Sequence, residues 1–134
     1  MNKPQITIDD FSKIEVRVGT VRSAERVPET DKLLRLMVDF GLKPVASDAV
    51  GSADQPSTAS LGEERDMRQI VSGIAAYVEE PASLIGRQLS FVTNLEPRTI
   101  RGLESNGMLF AVGTDDSFAF LTPDREVPPG TRAH

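Results

Sequence analysis

Arg98 and Arg101 stand three residues apart in NLEPRTIRGLESNGM, the stretch from Asn94 to Met108. A guanidinium carries its N–H donors in a rigid fork that meets a phosphate bidentately, so two on one short segment could grip a nucleic-acid backbone. Arg17, Lys32, Arg35 and Arg68 fall in or beside segments that read as strands, where an outward-facing cation can do the same. The same residues also suit an ordinary solvated surface on which arginines alternate with acids. Glu96 and Glu104 bring the net charge of the Asn94–Met108 stretch to zero.

Other chemistry finds less support. Ser72 in IVSGI and Ser105 in ESNGM could be nucleophiles, but neither lies in GxSxG and the only histidine is the terminal His134. The acid pairs Asp9–Asp10, Glu79–Glu80 and Asp115–Asp116 could in principle bind a metal or share protons, yet adjacent residues on a strand point to opposite faces. Solvated turn or helix-cap acids are the simpler reading. Neither GxxxxGK[ST] nor GxGxxG occurs, and with no cysteine there is no disulfide, thiolate metal site or thiol nucleophile. No metal or cofactor is expected, and binding is left as the function class.

Composition bounds that function. The 134 residues, 39% of them hydrophobic, suit one domain with a single core. No apolar run approaches the roughly 18 residues that span a bilayer, and MNKPQITIDDF does not read as a secretory leader, so a cytoplasmic protein without membrane contact is expected. The net charge of −5 argues against a generic polyanion binder, since phosphate affinity grows with the number of cations that displace counterions. Up to Met67 there are 9 basic and 12 acidic residues, and after it 6 and 8, so neither half is basic. A local basic face remains compatible with that average.

The elements that must hold these residues read mainly as strands. IEVRVGTV (14–21) alternates, with Ile14, Val16 and Val18 on one face and Glu15, Arg17 and Gly19 on the other. Turn residues follow from Ser23 to Lys32, and LLRLMVDF (33–40) is a second strand. Residues 42–66 show no apolar period and read as a long exposed loop inserted between two strands. Strands are predicted again at 67–74, 88–95, 107–112 and 118–122, with a proline-started, glycine-closed helical turn at PASLIG (81–86). Five or six short strands with little helix predict a small barrel or sandwich.

Five segments, in order, resemble the tRNA-binding domain family: ITIDDFSKIEVRVGTV, TDKLLRLMVDFG, RQIVSGIA, NLEPRTIRGLESNGMLFA and LTPDREVPPGT. That family includes the C-terminal appendage of methionyl-tRNA synthetase and free-standing relatives. The resemblance implies an all-β OB-fold, a five-stranded Greek-key barrel with a short helix, spanning 1–134 as one domain. Residues 42–66 have no counterpart, and 121–134 correspond to a dimerisation segment, so a homodimer is implied. It further implies a non-catalytic module that recognises the outer corner of the L-shaped tRNA, with an aminoacyl-tRNA synthetase as a further partner. On the matching positions, Arg98 and Arg101 would contact phosphates, Asn94 and Ser105 the backbone or a base, and Met108 a sugar or base, with Lys32 and Arg17 as secondary contacts. A sister branch of the fold, dimeric secretion chaperones that bind unfolded peptides, supplies the alternative function.

Overall fold

The protein is described by a computed structural model covering residues 3–42, 65–113 and 116–134. Its wall is built from β1 (Val16–Arg26), β2 (Leu34–Leu42), β3 (Arg65–Ser72), β4 (Gln88–Val92) and, following a hairpin of β5 (Arg98–Ile100) and β6 (Leu103–Ser105), the short β7 (Met108–Leu109). The five-stranded sheet runs β3-β2-β1-β4-β7 with antiparallel neighbours throughout. β2 shows why it curls around a core. Leu34, Leu36, Val38 and Phe40 are at most 1% exposed, whereas Arg35, Met37 and Asp39 lie at the alternate, outward positions. Burying each such apolar side chain contributes about 1.5–3 kcal/mol. Val21, Ile70, Leu84, Leu89 and Phe91 complete the interior, with the Phe40 and Phe91 rings edge to face at 5.4 Å.

The free edge of β3 is closed by the segment after β6. Asn106 N–H donates to the Gln69 carbonyl at 2.8 Å, and Val71 N–H donates to the Ser105 hydroxyl at 3.0 Å. Edge groups that would otherwise lack partners are thereby satisfied, and the sheet becomes an OB-like all-β half-barrel, as expected.

Several local expectations are corrected. β1 does not end at Val21. It continues to Arg26 through a bulge at Arg22, after which Ser23 pairs with Met37 and Ala24 with Leu36. The polar composition of that stretch hid a strand whose solvent side is charged. The two faces of β1 contain the sets that alternation predicts, but the inward set is Arg17, Gly19 and Val21, and Ile14 is exposed. Gly19 faces the interior, and the position takes glycine because a Cβ there would collide with Val38 Cγ1 and the Phe40 ring. The predicted strand at 107–112 changes partner at Phe110: β7 pairs with β4, and β8 (Ala111–Val112) pairs with β9 (Ala119–Phe120).

The ends of the expected loop are strand. Leu42 closes β2 and pairs with Arg65, which opens β3, and residues 43–64 lie outside the described residues. The helical turn is present as a 3-10 turn at Pro81–Leu84, with Gly86 at φ 90°. A single turn of α-helix, α1 (Ile8–Phe11), is capped by Thr7, whose hydroxyl accepts from Asp10 N–H at 3.1 Å, so Asp9 and Asp10 are helix-start acids. The C-terminal segment lies along the first half of β1 of its own chain. Gly130 N–H donates to Val18 O at 2.7 Å, Val18 N–H to Thr131 O at 2.9 Å and Ala133 N–H to Val16 O at 2.8 Å.

Candidate nucleic-acid interface

The β5–β6 hairpin turns in two residues, Arg101 and Gly102, between the paired Ile100 and Leu103. Both central residues have positive φ, 53° and 80°, the arrangement that matches the twist of antiparallel strands. Glycine adopts it freely. Arg101 does not, since the left-handed region costs a non-glycine residue about 1–3 kcal/mol, and asparagine or aspartate is the usual occupant. The turn holds an exposed arginine at its tip against that backbone preference.

Arg98 is exposed at the other end of β5, and neither arginine has a side-chain partner among the described residues. Arg98, Ile100, Ser105 and Met108 border a cavity of about 80 Å³ beside Val71. Met108 is 47% exposed and therefore outside the core. Arg101 and Leu103 reach the β1–β2 turn, where with Val27, Pro28, Glu29 and Arg35 they bound a cleft of about 270 Å³. Lys32, exposed and also unpartnered among the described residues, rides on that turn. The turn is held from both sides: Lys32 N–H donates to Thr30 Oγ1 at 3.1 Å, and the Lys32 carbonyl accepts from Ala75 N–H at 3.1 Å. Arg35 reaches across to Glu25 at 3.2 Å, so its charge is locally offset.

Three other predicted contacts are engaged within the chain. Asn94 Oδ1 accepts from Glu15 N–H at 2.8 Å and its Nδ2 donates to Lys13 O at 2.5 Å, tying the end of α1 to the hairpin base. Ser105 is 4% exposed, accepting from Val71 N–H and donating to Gly107 O at 3.1 Å. The Arg17 guanidinium stacks over Phe40 at 5.3 Å and donates to Gly130 O at 3.2 Å and Phe40 O at 3.1 Å, with Asp66 at 3.4 Å. Arg68 covers the same ring at 5.4 Å and forks onto Asp66. The seven residues thus divide. Arg98, Arg101, Met108 and Lys32 face solvent around the hairpin and the β1–β2 turn, Ser105 and Arg17 are held in the frame, and Asn94 bonds to the frame while remaining exposed at the hairpin base.

A charged cluster went unnoticed in the sequence. Asp39, 1% exposed on the outward face of β2, accepts from Arg22 and Arg65, each at 3.0 Å, and from Gly41 N–H at 2.8 Å. Burial alone would push its carboxyl up, but the hydrogen bonds from Arg65, Gly41 and Arg22 outweigh that and hold it below the usual carboxylate range. The signal was there: an aspartate inside the apolar run LMVDFG must be paired. Its partners come from the bulge and from the start of β3, neither of which has a sequence signature.

Among the described residues no group of three or more histidines or acids could hold a metal ion, and no helix is long and apolar enough to cross a membrane. Residues 57–132 match the family described as "Putative tRNA binding domain". The chain belongs to the tRNA-binding domain family. As a tRNA-binding domain it is similar over its length to a solved MetRS related protein from Pyrococcus horikoshii, at 32% identity and TM-score 0.74, covering 98% of this chain and all of that one. The chaperone CsaA of Bacillus anthracis has 26% identity and TM-score 0.71, covering 98% of this chain and all of that one. The methionine–tRNA ligases of Methanocorpusculum labreanum and Thermotoga maritima are 44% and 39% identical over 96% and 95% of this tRNA-binding domain. The chain spans only 15% and 16% of those two enzymes' length.

Proposed function

We propose that this tRNA-binding domain is a non-catalytic, structure-specific tRNA-binding module of the cytoplasm that acts as a homodimer. It recognises the outer corner of the tRNA by shape and assists a methionyl-tRNA synthetase by raising the local tRNA concentration. One observation carries the reading: Arg98 and Arg101 project unpartnered from the hairpin, and Arg101 does so from a backbone conformation that disfavours it. With Lys32 they form a small cationic rim on an acidic protein, which suits backbone contacts made by a few placed charges rather than bulk attraction. Exposed Ile6, Ile8, Phe11 and Ile14 near the N-terminus, beside the C-terminal strand segment, support pairing of two copies there.

Fluorescence anisotropy with unfractionated tRNA tests the module. Salt-sensitive binding that exceeds binding to duplex DNA of equal charge supports it, and equal binding to both removes shape recognition. The second reading, a peptide-binding chaperone, is favoured by the net charge of −5 and by the exposed apolar side chains of Leu95, Met108, Phe110 and Val112. Suppression of client aggregation without salt-sensitive tRNA binding would select it.

A further inference from the structure

We infer that Arg22 and Arg65, clamped by the buried Asp39 on the outward face of β1–β2–β3, form a second phosphate-binding site for the RNA backbone. The inference rests on the tRNA-binding reading and extends it to residues that reading does not use. Two guanidinium groups converge on one buried carboxylate, so the cluster keeps a charge of +1 on the sheet surface. Arg65 spends only its Nε on Asp39, which leaves both terminal amino groups unpartnered among the described residues. Arg22 uses Nε and Nη2, which leaves Nη1. The two side chains remain 52% and 45% exposed, so the unused N–H groups face solvent while the carboxylate is sealed beneath them.

A surface arginine ordinarily loses rotamer freedom when it binds a phosphate. Here the forks are already held at one edge, so less freedom is lost on binding. The bulge is what makes the arrangement: it adds one residue to β1 opposite β2 and so aims Arg22 at Asp39. The cluster is flanked on the same face by Met67, which pairs with Asp39 and is 40% exposed, and by Met37. Arg65 stands six residues along β3 from Val71, which the hairpin holds through Ser105. At ~3.3 Å per residue Arg65 and Val71 stand about 20 Å apart, so the cluster and the hairpin's contact with β3 lie at opposite ends of that strand. One arm of a folded RNA could therefore lie across both.

The test is tRNA anisotropy across a salt series with Arg22→Gln and Arg65→Gln, each of which leaves Asp39 one guanidinium, and with R22Q/D39N/R65Q. The triple variant removes the charges while keeping an acceptor for Gly41 N–H, so it reports even where a single variant folds poorly. The expected result is a several-fold weaker affinity and a salt slope shallower by about 0.7–0.9 for each phosphate no longer neutralised. A fold-supporting role alone would leave that slope unchanged. Combining the triple variant with Arg98→Ala should multiply the two reductions in affinity, as expected of separate patches. Parental affinity and slope in the folded variants would overturn the second site while leaving the hairpin reading standing. Salt-independent binding, or no binding, by the parent protein would overturn both.

Discussion

Val71 N–H donates to the Ser105 hydroxyl at 3.0 Å, at a point in the barrel wall where a neighbouring strand would normally supply a carbonyl. The Ser105 side chain thus joins the edge of β3 to the hairpin that carries the cationic rim, beside the Gln69 side chain, which donates to Glu104 O at 2.8 Å. Ser105→Ala should cost about 1–3 kcal/mol, the desolvation penalty of a buried amide left without an acceptor, and urea denaturation would measure it. Unchanged stability would mean that the hydroxyl is dispensable to the closure.

Arg101 occupies a turn position that suits asparagine. Arg101→Asn should raise stability by about 1 kcal/mol while weakening tRNA binding, because relief of the backbone conformation and removal of a phosphate-binding cation act in opposite directions. A variant that is more stable with full affinity would remove Arg101 from the interface.

Arg17 supports the frame through Phe40, Gly130 and Asp66, with only 14% of its side chain exposed. Arg17→Lys should lower stability by about 1–3 kcal/mol, because an ammonium supplies neither the fork nor the planar stack on the ring. The salt slope of tRNA binding, measured below the melting temperature, should hardly move. A change of slope without a change of stability would reverse that assignment.

Asp39 makes stability depend on pH in a defined direction. Its folded value lies below the unfolded value of about 4, so its contribution is complete above about pH 5 and drains away as pH falls through the lower, folded value. Thermal melts from pH 6 to pH 2 should show this loss, and Asp39→Asn should flatten the acid limb. An identical acid limb in both proteins would mean that other carboxylates dominate it.

The β2 alternation of Leu34, Leu36, Val38 and Phe40 made the barrel wall legible in the sequence, since one face of a strand must be buried. The turn at Pro81–Leu84 was legible for a similarly local reason, whereas the hairpin strands Arg98–Ile100 and Leu103–Ser105 were not, because a three-residue strand has too few positions to show an alternation. The internal bonds of Asn94, Ser105 and Arg17 were not legible either. These residue types suit both ligand binding and internal hydrogen bonding, and the internal bonds reach partners as far as 113 residues away, such as Val71 for Ser105 and Gly130 for Arg17. The Arg22–Asp39–Arg65 cluster needs a bulge and the register of two strand pairs, which composition does not encode.

The most direct measurement is a tRNA titration of the parent protein and the Arg98→Ala/Arg101→Ala pair at two salt concentrations, with duplex DNA of equal charge as the competitor. The parent should prefer tRNA at both concentrations. The double variant should bind more weakly, with a salt slope shallower by about 1.4–1.8 because two phosphates are no longer neutralised. Equal affinity and equal slope in the parent and a folded double variant would contradict the assignment of the hairpin as the RNA-binding element.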